Sequence, residues 1–124
     1  MKEEFVTYEQ AIKLKELEFK ERCSHYFEDA KLKIHNDILG WDFNSSFITH
    51  CSAPLKQQVF RWFRDKYDLW FRPDYYDEMR EYDYQGSIHQ LGRYSSLASL
   101  DNCKTVEELE AKCIDKLIEI VKNK

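Results

Sequence analysis

The sequence predicts an α+β fold in which three helices pack on a mostly antiparallel sheet in the order α-β-β-α-β-β-(β)-α, and three observations lead there. Two capping boxes, Thr7 with Gln10 and Thr105 with Glu108, each open an apolar repeat of helical period. A third repeat of that period runs from Leu55 to Tyr67 behind Ser52-Ala53-Pro54. Between the helices stand short runs in which apolar and polar residues alternate, the signature of strands with one wet face. With 124 residues and only three glycines and two prolines, the chain is expected to be one domain, 1–124, ordered nearly end to end. That length suffices to bury a core without disulfides or metals.

The first helix should run from about Tyr8 to Leu17, because Ala11, Leu14 and Leu17, with Tyr8 or Ile12, form one stripe. Next, Cys23 to Phe27 and Leu32 to His35 flank Glu28-Asp29-Ala30, and Leu32 and Ile34 alternate with Lys31, Lys33 and His35. These read as a β-hairpin. From Asn36 to Cys51 the signals are mixed. Gly40, Asn44, Ser45 and Ser46 favour turns, whereas Trp41, Phe43 and Phe47 would pin the segment as a structured loop, with room for a short strand at Phe47 to Cys51.

Ser52-Ala53-Pro54 reads as a helix start, since serine can cap free amides and proline in the first turn sacrifices no hydrogen bond. Leu55, Val59, Trp62, Phe63 and Tyr67 would form the apolar face of that helix, with Gln57, Arg61, Arg64 and Asp65 largely opposite. The helix should stop near Tyr67. Leu69 to Phe71 and Met79 to Tyr84 are strand candidates, and Pro73 places at least one of them near an edge or a break. Gln85-Gly86 can then turn the chain into Ser87 to Tyr94. Behind Thr105, the residues Val106, Leu109, Cys113, Ile114, Leu117, Ile120 and Val121 recur at core spacing, and Lys122 and Lys124 suit the C-terminal end of the helix dipole.

Composition excludes several classes. No apolar run approaches the roughly 18 residues of a membrane span, and MKEEFVTYEQ lacks the apolar stretch of a secretory signal, so no membrane association is expected. A reducing cytoplasm is the default compartment. The four cysteines never form CxxC, which removes zinc ribbons and thioredoxin-like motifs. A pI near 5.6 argues against a protein that coats nucleic acid by charge alone. Cys23 and His25, two apart on an expected strand, could share an ion, but no second pair at metal-ligand spacing accompanies them. Cys51, next to His50 and just ahead of a helix start, is the one local candidate for an activated thiol, yet neighbours on an extended chain point apart. No GxSxG and no glycine-rich phosphate loop is present. The expectation is therefore no catalysis, no cofactor and no metal.

The segment RPDYYDEMREYDY, Arg72 to Tyr84, stands apart from the rest. From Asp74 to Tyr84 it sets Asp74, Asp77, Glu78, Glu81 and Asp83 against Arg80 alone, and its four net negative charges equal the net charge of the whole chain. Pairs such as Asp77 with Asp83 could chelate Mg²⁺ if they converged, but solvated acidic turns are far commoner. Carboxylates spaced along strands also resemble nucleic-acid phosphates, and tyrosine rings offer rigid contact area with a polar tip. Such a surface would be steered toward the basic groove of a nucleic-acid enzyme. The plainer alternative is a solubilising sheet edge. Just upstream, Lys56, Arg61, Arg64 and Lys66 beside Trp62 could contact RNA phosphates or an acidic partner, or could simply be the wet face of a helix.

SAPLKQQVFRWFRDKYDL (52–69), TVEELEAKCIDKLIEIVKNK (105–124) and TYEQAIKLKELEF (7–19), roughly 50 residues together, resemble a family of small, mostly uncharacterised phage and prophage proteins. Those relatives show YExAxxLKELGF, then SAPxxQQAFRWFREKYxL, a tyrosine- and acid-rich strand region, and SYEEAxxxCLxKLIEIVK. Two departures stand out: Val106-Glu107 replaces Tyr-Glu, and Glu18 replaces a glycine, which puts a left-handed helix end in doubt. The matched positions, including Pro54, Trp62, Phe63 and Leu117, look structural, and the family offers no catalytic residues to carry over. The resemblance implies a mobile-element setting in a host bacterial cell. Within it, an anti-CRISPR-like role is the sharpest expectation: binding and inhibition of an RNA-guided defence nuclease, including the RNA-targeting type VI effectors. The partner contact would be Asp74, Tyr75, Tyr76, Asp77, Glu78, Glu81, Tyr82 and Asp83, with Arg61, Arg64, Lys66 and Arg72 as secondary contacts to the partner or its guide RNA. A small nucleic-acid-binding regulator and a minor structural or adaptor phage protein are the alternatives, and a monomer and a homodimer are both compatible with the sequence.

Overall fold

The order of elements in the computed structural model is α1 (Tyr8–Glu16), β1 (His25–Glu28), β2 (Lys31–Ile34), α2 (Phe43–Ser46), β3 (His50–Ser52), α3 (Lys56–Tyr67), β4 (Leu69–Tyr75), β5 (Tyr84–Gln90), β6 (Ala98–Cys103) and α4 (Val106–Lys122). The structure describes residues 4–35, 40–46, 50–75, 84–93 and 95–123. The α+β class is as predicted. In place of three helices on one sheet, the described residues form four helices and two antiparallel three-stranded sheets, one in each of two compact units, Met1–Leu55 and Lys56–Lys124. No helix among the described residues is long and apolar enough to cross a membrane.

In the first unit, α1 opens on the predicted capping box. Thr7 Oγ1 accepts from the Gln10 amide at 3.2 Å, and Gln10 Oε1 accepts from the Thr7 amide at 3.0 Å. Ala11 and Leu14 bury the inner face, and Lys15 Nζ reaches the His50 carbonyl at 2.7 Å, tying α1 to β3. The helix ends as a Schellman motif: the Glu18 amide donates to the Lys15 carbonyl and the Phe19 amide to that of Leu14, both at 3.0 Å. Glu18 therefore sits at a left-handed φ of +66°. The left-handed end that Glu18 put in doubt is present without its glycine, held by these two bonds and by the fully buried Phe19. Because a side chain is strained there, Glu18→Gly should raise stability by about 0.5–1 kcal/mol. A urea midpoint equal to or below that of the parent would contradict this.

β1 and β2 pair from His25↔Ile34 to Glu28↔Lys31, so the predicted hairpin closes on a two-residue turn. Asp29 and Ala30 take φ values of +52° and +62°, the left-handed pair that matches the twist of the strands. β3 pairs with the other side of β1, giving the order β2-β1-β3. This placement overturns the reading of Ser52 as a helix cap. Ser52 lies in β3, its Oγ accepts from the Phe43 amide at 3.1 Å, and its own amide donates to Asn44 Oδ1 at 2.9 Å. Asn44 Nδ2 also donates to the Phe19 carbonyl at 2.8 Å, so the short α2 is clipped at once to β3 and to the end of α1. Pro54 is fully buried, and its carbonyl accepts from the Val6 amide.

In the second unit, α3 begins at Lys56 and stops at Tyr67 as expected, with Asp68 at a left-handed φ of +57°. Val59, Trp62 and Phe63 are buried as predicted, whereas Leu55 lies outside the helix and is 41% exposed. β4, β5 and β6 form a meander; α3 packs on β4 and α4, and α4 on β5 and β6. Leu69, Ile88, Leu109, Cys113, Ile114, Leu117 and Ile118 fill the space between helices and sheet.

Pro73 lies in the edge strand β4, where a missing N–H does no harm. The Gln85-Gly86 turn is overturned: both residues are inside β5, Gly86 opposite Pro73 and Gln85 opposite Asp74. Glycine serves there as space. A Cβ on Gly86 would stand 2.7 Å from the Phe71 ring, which packs against Phe60 of α3 with ring centroids 4.9 Å apart. The chain turns after Gln90 instead, and Ala98–Cys103, given no role in the sequence reading, forms β6. A register shift in the β5–β6 ladder and Asn102 at φ +56° break its regularity.

Candidate partner-binding surface

β4 and β5 pair without interruption from Leu69↔Gln90 to Tyr75↔Tyr84. The acidic segment is the connection between these strands, so the ladder brings its two ends together. Asp74 and Tyr75 are the last residues of β4; Tyr76, Asp77, Glu78, Glu81, Tyr82 and Asp83 lie outside the described residues. The seven-pair ladder is backed by α3 on β4 and by α4 on β5.

The basic residues of α3 separate into two kinds. Lys56 is 5% exposed and donates to the Glu107 carbonyl at 3.3 Å, so it braces α3 against the start of α4. The outer cations are Arg61, Arg64, Lys66 and, on β4, Arg72. Arg61, Lys66 and Arg72 are exposed, and Arg64 is half-buried. The Arg64 guanidinium carbon lies 5.0 Å from the centre of the Trp70 ring, with Nε 3.9 Å from Asp65 Oδ1. Lys66 Nζ sits 5.1 Å from the Trp62 ring centre and 5.6 Å from that of Tyr67. Both cations thus lie on aromatic faces, which restrains their side chains while leaving the charge accessible.

Beside Arg64 the second unit has a cleft of about 180 Å³. Gln57, Phe60 and Arg64, on one side of α3, form one wall, Trp70, Phe71 and Pro73 of β4 a second, and Glu110 of α4 closes it. Gln57 Nε2 donates to Glu110 Oε2 at 2.7 Å. Burial pushes the Glu110 carboxyl up, against the opposing pull of Lys56 and of the Gln57 hydrogen bond. A cation on an indole, a carboxylate and an amide beside the Phe60 and Phe71 rings can take a planar, polar-edged ligand. Of these residues only Arg64 was singled out for contact from the sequence. The rest were unreadable there because they come from three elements and converge only in the fold.

The thiol and histidine candidates are occupied otherwise. Cys23 is buried, with Sγ 3.6 Å from the Glu21 carbonyl, while His25 Nδ1 bonds the Ser24 hydroxyl at 2.7 Å and its ring packs on Phe5. Cys51 is buried, and that burial pushes its thiol up despite the nearby Lys15, the wrong direction for a nucleophilic thiolate. His50 Nε2 pairs with Glu28 Oε2 at 2.5 Å across the β1–β3 ladder. Lys33 and His50 together hold the Glu28 carboxyl below its ordinary range. Among the described residues no three or more His, Cys, Asp or Glu side chains are grouped to hold a metal ion. No family model, no curated protein and no solved structure matches the chain.

Proposed function

We propose that this chain is a phage-derived anti-defence protein that binds and inhibits an RNA-guided bacterial nuclease without chemistry of its own, presenting the acidic, tyrosine-rich connection between β4 and β5 to a basic, RNA-handling surface. The observation that carries this reading is the charge distribution. The whole net charge of the chain is gathered in a segment whose flanks are paired strands. Field from a clustered set of charges steers association with a surface of opposite sign, and tyrosine supplies anchoring area at small conformational cost. Arg61, Arg64, Lys66 and Arg72 precede the acidic segment on α3 and β4, so the same unit offers cations to a guide RNA held by the partner.

Capture from a host lysate, with and without nuclease treatment, tests it together with a cleavage assay on the purified guide-loaded enzyme. The nuclease should be retained after RNA is digested, and an equimolar amount of the chain should stop target cleavage. Undiminished cleavage in the presence of a large excess would sink the proposal, and recovery that vanishes with RNA digestion would replace it with direct nucleic-acid binding.

A further inference from the structure

We infer that the cleft between α3, β4 and α4 is a recognition site for a guanine nucleotide, with the base lying against Trp70 and Phe60, its N1–H and 2-amino group donating to the Glu110 carboxylate, and its phosphate beside Arg64. Size sets the class of ligand. A volume of about 180 Å³ falls below the roughly 300–1,000 Å³ of sites for drug-sized molecules, which leaves room for one planar ring system. The walls supply the face: Trp70 and Phe60 are aromatic, and single-stranded bases are held by stacking on aromatic rings and guanidinium planes.

The edge chemistry then selects among bases. Gln57 donates one of its two amide N–H groups to Glu110 Oε2 and keeps the other, with its carbonyl oxygen, for a ligand, whereas Glu110 offers only oxygens while ionised. The two oxygens of the Glu110 carboxylate thus call for a base edge with adjacent donors. Guanine has two on its Watson–Crick edge, whereas adenine and cytosine each place a single amino group next to a ring acceptor. That acceptor would face Glu110 and be repelled. The Arg64 guanidinium supplies the positive charge: it lies over Trp70 with Nε 3.9 Å from Asp65 Oδ1, and its two terminal nitrogens are the donors proposed to meet a phosphate. The same chemistry could come from a free mononucleotide or from a guanine in single-stranded RNA.

The test uses the purified chain alone, so its failure is separable from failure of nuclease inhibition. Calorimetric titrations would compare GMP with AMP, and a short guanine-containing single-stranded RNA with an all-adenine one. Saturable binding with at least tenfold preference for guanine is expected, as is loss of that preference in Glu110→Gln. Trp70→Ala, at an exposed position that leaves the core intact, should weaken GMP about tenfold. RNA binding much tighter than GMP would identify the source as a guanine within a strand; equal affinities would identify the free nucleotide. Equal or reversed preference between guanine and adenine, absence of saturable binding by both guanine ligands, or a preference that survives Glu110→Gln in a protein with the parent's melting temperature would overturn the site.

Discussion

Converting Asp74, Asp77, Glu78, Glu81 and Asp83 together to their amides should weaken capture of the defence nuclease by at least about a hundredfold, with the melting temperature nearly unchanged. The substitution leaves 18 acidic residues against 19 basic ones, so the formal net charge moves from −4 to +1. An acidic protein becomes slightly basic while every side-chain shape is kept. Electrostatic steering is worth roughly ten- to a thousandfold in association rate, and loss of paired charges at the centre of a contact adds to the dissociation rate. The fold should not follow, because among the described residues those buried in the second unit lie on α3, β4, β5, β6 and α4, and the Asp74↔Gln85 pair is made by backbone groups. Stopped-flow association at low and high salt checks the mechanism: the parent rate should fall steeply with salt and the variant's should stay flat. Tyr76→Ala with Tyr82→Ala should act differently, speeding dissociation with little effect on association, since anchors act after encounter. Full inhibition by the amide variant would remove the acidic segment as the contact.

What could be read from the sequence was local, and what could not was set by partners distant in the chain. Thr7 with Gln10, Thr105 with Glu108 and the stripes behind them identified α1 and α4 because a cap and a helical period are complete within a few residues. The β1–β2 hairpin was legible for the same reason, as its turn and both strands are contiguous. Ser52 was misread because its environment includes Phe43 and Asn44, which use its hydroxyl and amide before any helix can. Gly86 was misread as a turn because the reason for a glycine, the Phe71 ring lying over it, sits on another strand. β6 has little apolar patterning: Ser99, Asp101 and Asn102 face solvent, and only its neighbours β5 and α4 define it. Of the candidate surface, the acidic segment was visible as composition, while the cleft needed Gln57, Trp70 and Glu110 to be brought together from α3, β4 and α4.

The second large effect is expected at Gly40, where Gly40→Ala should lower stability by about 2–4 kcal/mol and the melting temperature by on the order of 10 °C. Two penalties combine there. Gly40 has a φ of +73°, and a Cβ would meet the Cys23 backbone, 2.8 Å from its oxygen and 3.0 Å from its carbonyl carbon. That backbone cannot retreat: the Cys23 amide donates to the Trp41 carbonyl at 2.9 Å and the Trp41 amide to the Cys23 carbonyl at 3.0 Å, and Cys23 is buried. The other glycines separate the two penalties. Gly92 has a φ of +88° with nothing within 4 Å of an added Cβ, so Gly92→Ala should show the conformational strain alone, about 1 kcal/mol. Gly86 has no positive φ and its close neighbour is a side chain, so Gly86→Ala should show crowding alone, by displacing the Phe71 ring from Phe60. Chemical unfolding of the three variants should therefore rank Gly40→Ala well above either of the others. If Gly40→Ala were no worse than Gly92→Ala, the Cys23–Trp41 bridge would be yielding to the new methyl group, and it could not be the fixed link that joins the β1 hairpin to the α2 segment.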